Sequence, residues 1–111
     1  MGIANLLELP SSNSHWENWF WHNRTDHMLI KNRINALNLG NLVEYPLDPV
    51  TGIDQKRWLK DHHNAHIAFN NVINFPSLDL ENVNMKDAKQ LQSWLWIHYT
   101  EHLNAHRSLL I

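Results

Sequence analysis

The chain has no cysteine, which excludes disulfides and thiolate metal sites and leaves the redox compartment open. Charge is sparse too: charged residues make up 18%, the formal charge is −2 with histidines neutral, and the basic residues are scattered singly. Without a basic patch or stripe, nucleic acid is not expected as a partner. No long apolar run is present. The stretch Ile3 to Leu9 is short, contains Glu8 and has no basic leader, so it reads as neither a signal peptide nor a membrane span.

What the chain does have is an ordered composition with an unusual polar share: 43% hydrophobic residues, 15 Asn, 9 His and 6 Trp among 111 residues. That length suits a single domain over residues 1–111 with one modest core.

Three stretches repeat one another: "WFWHNRTDHMLIKNRI" from Trp19, "WLKDHHNAHIAFNNVI" from Trp58 and "WLWIHYTEHLNAHRSL" from Trp94. Each follows W-[FL]-x-x-[NH]-x-x-x-H-[MIL], with a further aliphatic residue at Ile34, Ile73 or Leu109. The alignment is free of gaps through Trp19/Trp58/Trp94, Asn23/His62/His98 and His27/His66/His102, at offsets of 39 and 36 residues. Ahead of each Trp lies a segment marked by proline, at Pro10, Pro46 and Pro76, where a helix cannot continue.

Each repeat has the 4-3 spacing of one helical face: positions 16, 20, 23, 27, 30, 34 and 37 in the first, with Leu59, His62, His66, Phe69 and Ile73 in the second. The third gives Leu91, Leu95, His98, His102, Ala105 and Leu109. Cap candidates are Ser14, Thr51 or Asp54, and Asn84, with Gly40 as the stop of the first helix. The expectation is an all-α fold with helices over about 14–38, 53–74 and 85–109 and an apolar N-terminal arm over 1–13. Three such stripes can bury only against one another, so a three-helix bundle follows, most simply antiparallel, up-down-up. The links are long for such a bundle.

On these faces Asn23, His27, His62, His66, His98 and His102 form a polar layer inside the bundle, with His62/His66 and His98/His102/His106 as ladders at i, i+4. The layer reads first as a hydrogen-bonded network of neutral imidazoles that fixes helix register, with no cofactor. Alternatively His27, His66 and His102 bind zinc or another borderline metal, with Asp26 and Glu101 orienting the ligands from behind.

Two sharper readings meet obstacles. The H-x-x-E-H run at His98, Glu101 and His102 is the signature of one zinc-peptidase class, but only nine residues follow His102 and none is acidic, so a downstream ligand is missing. The repeat also carries Asp26 and Ala65 where Glu101 stands, which makes the glutamate a local variation. A di-iron bundle, suggested by His22/Asp26 and His62/His66, needs a fourth helix and bridging carboxylates. No enzyme and no small-molecule substrate are expected.

Trp19, Trp58 and Trp94 should cover the seams between helices. Trp21 and Trp96 lie about a hundred degrees beyond the inward stripe, where indoles serve protein interfaces. Leu6 and Leu7 in the N-terminal arm, with Leu110 and Ile111 at the other end, extend that expected docking surface.

The whole pattern, "WLKDHHNAH", "FPSLDLENVN" and above all "LQSWLWIHYTEHLNAHRSL", resembles a type of small protein encoded among the structural genes of tailed bacteriophages. The resemblance implies a non-enzymatic virion component at the head–tail junction, tail or capsid, assembled in the host cytoplasm and present in several copies. Larger virion proteins or copies of the chain itself would be its partners, with no membrane involved. It carries over no catalytic residues. A His-rich metal-binding bundle is the alternative function.

Overall fold

The computed structural model describes residues 3–39, 55–73, 83–84 and 86–111. Three long helices dominate: α1 (Asn13–Ala36), α2 (Gln55–Ile73) and α3 (Ala88–Leu109), preceded by a 3₁₀ helix at Ile3–Leu7. No strand occurs among the described residues, and no described helix is long and apolar enough to cross a membrane. This is the all-α three-helix bundle expected from the repeat. Pro46 and Pro76, with the cap candidates Thr51 and Asp54, lie outside the described residues.

The caps differ from expectation in instructive ways. Ser12 caps α1: its extended backbone (φ −150°) lets the hydroxyl accept from the N–H of His15 at 3.3 Å, so Ser14 lies inside the helix. Asp87 caps α3, accepting from the N–H groups of Lys89 and Gln90 at 3.0 and 3.3 Å while the Gln90 side chain reaches back to it. Asn84 shapes the turn just before, where its Oδ1 accepts from Lys86 N–H at 3.0 Å. Helix α1 ends short of Gly40. Asn38 takes the left-handed conformation (φ 56°), and the N–H groups of Asn38 and Leu39 close onto the carbonyls of Asn35 and Ile34. Asn tolerates that conformation because its short polar side chain carries little steric penalty there.

The direction of the helices corrects the up-down-up expectation: all three run the same way. Trp19, Trp58 and Trp94, each near the start of its helix, meet at one end with ring centroids 5.5–6.0 Å apart. Leu59, Leu91 and Leu95 complete that cluster. At the other end Ile30, Ile34, Phe69, Ala105 and Leu109, from the second halves of the helices, form a separate aliphatic cluster. Arg33 Nε donates to the carbonyl of Leu109 at 2.9 Å, tying the last turns of α1 and α3 together.

Like repeat positions therefore lie at like heights. An antiparallel bundle would have set the Trp ring of one helix against the aliphatic end of its neighbour. Stretches 37–54 and 74–87 are each long enough to return the chain ~30 Å to the starting end, which the length of these helices demands. The long links, an oddity for up-down-up, fit a parallel bundle.

The N-terminal arm is the second correction. Leu6, expected as a docking residue, is 1% exposed and belongs to the Trp cluster. Its carbonyl accepts from the indole Nε1 of Trp19 at 3.0 Å. The 3₁₀ turn lays this apolar segment over the Trp end, where it removes from water the surface that the three helices leave uncovered. Leu7 is half-buried. Leu110 and Ile111 remain exposed.

A candidate metal centre between two apolar layers

Between the Trp end and the aliphatic end, two tiers of polar residues fill the bundle axis, separated by four residues of helix, ~6 Å. The first holds Asn23, His62 and His98; the second holds His27, His66 and His102, one from each helix. All six are buried. One ring nitrogen from each of the five histidines lies within 4.8 Å of every other. The five histidines of the expected layer thus converge on one site, and Asn23 is buried one turn before His27.

The contacts follow the repeat. Nε2 of His66 is 3.2 Å from Nε2 of His27, and Nε2 of His98 is 3.2 Å from Nε2 of His62, so both short contacts join equivalent positions of different repeats. Two nitrogens bound to one tetrahedral zinc ion at ~2.0–2.1 Å lie roughly 3.3 Å apart, close to this spacing.

Two carboxylates hold the second tier from outside. Glu101 Oε2 accepts from Nδ1 of His66 at 2.9 Å and from Nδ2 of Asn70 at 3.1 Å. Asp26 accepts from Nδ1 of His102 through Oδ2 and from Nε2 of His106 at 2.6 Å through Oδ1. Each carboxylate thus serves a histidine on another helix, not its sequence neighbour: α1 holds α3, and α3 holds α2. The equivalent position on α2 is Ala65, so the ring of pairs is two-thirds populated. Glu101, a departure from the repeat in the sequence, is here a buried partner of the layer, and Asp26 is its counterpart.

Because the carboxylates accept, Nδ1 carries the ring proton in both His66 and His102, and Nε2 is left as a lone pair. For His66 that lone pair faces His27. Nε2 of His102 is buried with no hydrogen-bond partner among the described residues, and Nδ1 of His98 shares that condition.

Electrostatics hold four of the imidazoles, those of His27, His62, His98 and His102, neutral and both carboxylates negative. Burial drives His27, His62 and His98 well below the usual 6.5, and the neighbouring imidazoles add to the effect. Burial also lowers His102, to about 4, although the hydrogen bond and charge of Asp26 pull the other way. For Asp26, burial favours the neutral acid, but His102 and His106 outweigh it and the net shift is downward. Glu101 behaves alike, with His66 and Asn70 prevailing over burial.

Sequence reasoning missed Asn70. Asn70 follows His66 by one turn, the spacing that already linked His62 to His66, but an Asn among fifteen gave no distinguishing signal. Trp21 and Trp96, expected outside the core, are 63% and 60% exposed, with Tyr99 packed 5.9 Å from the Trp96 ring. Comparison of the chain with protein families, with curated proteins and with solved structures finds no match.

Proposed function

We propose that the protein is a metal-binding helical bundle that holds one divalent ion of the zinc class through His27, His66 and His102, with His62 and His98 able to complete the coordination. The observation that carries this reading is the Nε2 atom of His102: its ring is locked by Asp26, and its buried lone pair has no donor among the described residues. An acceptor left so costs roughly 1–3 kcal/mol, a penalty that a bound cation removes.

Other features agree. An all-imidazole donor set without thiolate suits zinc, copper or nickel. Carboxylates on the far ring nitrogens fix the tautomer and raise ligand basicity. With four histidines held neutral and both carboxylates ionised, a divalent cation offsets two buried negative charges. Equilibrium dialysis against Zn²⁺ or Co²⁺ tests the reading: one ion per chain is expected, lost in His102→Ala. A protein that takes up no ion at saturating metal would leave the tiers as a hydrogen-bonded register device.

A second reading, compatible with the first, is a non-enzymatic structural component of a bacteriophage virion that docks onto larger virion proteins or its own copies. It is favoured by the solvent-facing indoles of Trp21 and Trp96 and the exposed end Leu110–Ile111. Sedimentation should then show self-association that Trp96→Ala relieves without unfolding, whereas a monodisperse wild-type monomer argues against docking.

A further inference from the structure

If the tiers hold an ion, it must reach them, and the fold closes most directions. The Trp cluster and the 3₁₀ turn cover one end, and the aliphatic cluster fills the other. Between α2 and α3, however, a narrow notch opens toward solvent, lined by His62, His63, His66, Trp94, His98 and Glu101. Its floor is the cluster itself, since His62, His66 and His98 all belong to the tiers. The most outward imidazole is His63, half-buried and absent from the converging set of five.

The notch has a volume of about 10 Å³, about the smallest space that holds one water molecule. A hydrated divalent cation cannot pass such an opening with its shell intact. Stripping that shell without replacement is prohibitive, because moving a bare ion out of water is costly. Entry therefore requires a ligand at the mouth that takes the place of departing water. His63 stands there, three residues before His66 on the same helix and thus its neighbour on one face.

We propose that the notch is the ion's port and that His63 is an entry ligand: it captures the ion from solvent and passes it inward by exchange to His66 and the other floor histidines. In each step one metal–nitrogen bond forms as one metal–water or metal–His63 bond breaks. The released water returns to solvent, and each coordinating nitrogen donates its lone pair without any change in the ion's charge. At the end His63 is free of the ion, which distinguishes it from the residents. The port presupposes the metal centre proposed above.

The test is the rate of Co²⁺ uptake by the full chain, followed by stopped-flow absorbance, together with the equilibrium dissociation constant from a competing chelator. In His63→Ala, uptake and release should both slow by about tenfold, which is roughly 1.4 kcal/mol on the barrier, while the dissociation constant stays as in wild type. His63→Phe, which restores bulk but offers no lone pair, should behave as His63→Ala does. Rates equal to or faster than wild type in both variants overturn the port. So does an affinity loss as large as the rate loss, which makes His63 a resident ligand. A wild-type chain that binds no cobalt at equilibrium overturns the metal centre and the port together, whereas bound cobalt with unchanged rates overturns the port alone.

Discussion

Glu101 on α3 accepts a hydrogen bond from Nδ1 of His66 on α2 at 2.9 Å, and the same oxygen takes a second from Asn70. One buried carboxylate thereby decides which nitrogen of His66 faces the bundle axis. Glu101→Gln keeps an acceptor and the side-chain shape but removes the charge. Such partners behind a metal-ligating histidine typically contribute ~10–100-fold to affinity, so cobalt or zinc binding should weaken by about that much while the helical content is unchanged. A competitive chelator titration reads it. Equal affinity in the variant would mean that the pair orients nothing.

Stability of the metal-free protein should fall with acid over a defined window. His27, His62, His98 and His102 have folded pKa values below their ordinary 6.5, so the unfolded chain binds more protons once pH drops below that value. Their contribution is complete above 6.5 and is lost progressively below it; for His102 the loss runs down to about 4. For that one group the change from pH 7.5 to 5 amounts to ~2 kcal/mol. The groups facing these rings, Asp26 and Glu101, have lowered pKa values and hold their charge through this window, adding their own loss only at lower pH. The melting temperature should therefore drop clearly between pH 7.5 and 5, and a flat profile would contradict burial of the layer.

The common direction of the helices can be measured directly, because a chain without cysteine accepts single-site labels cleanly. Glu17 and Gln92 are exposed near the starts of α1 and α3, and Arg107 is exposed near the end of α3. Gln92 and Arg107 stand ~22 Å apart along the helix. Spin labels at Glu17 and Gln92 should lie markedly closer than labels at Glu17 and Arg107. The reverse order would restore the up-down-up arrangement.

The arm over the Trp end should contribute to folding as a core element does. Leu6→Ala removes a fully buried side chain and should cost ~2–5 kcal/mol, the usual range for a buried Leu truncated to Ala. Leu110→Ala, at an exposed position, should change stability by less than ~0.5 kcal/mol. Denaturant titration of the two variants separates a core residue from a surface one.

Much of this was legible in the sequence because periodicity reports which face turns inward. The six polar positions and Ile34 and Leu109 declared themselves by spacing and are buried in the bundle, whereas Trp19, Trp58 and Trp94, expected over the seams, are buried and meet one another. Direction was harder, since a helical stripe looks the same read either way. The clue lay in the order within each repeat, indole first and aliphatic last, which lets like meet like only when the helices are parallel. The partner of Glu101 and the place of Leu6 were hidden for another reason. Each depends on what a distant segment presents to it: His66 lies 35 residues from Glu101 and Trp19 lies 13 from Leu6.

The contact of Arg33 with the last carbonyl-bearing turn of α3 has a wider electrostatic meaning. Aligned peptide dipoles leave about half a negative charge at the carboxyl end of each helix. In an up-down bundle neighbouring dipoles cancel, whereas here three point the same way and their ends gather on one face of the molecule. Arg33 and Arg107 occupy the last turns of α1 and α3, where cations offset that accumulation. The amino ends of the helices gather at the Trp cluster and their carboxyl ends at the aliphatic cluster, so the fold carries an axial dipole that an up-down bundle lacks.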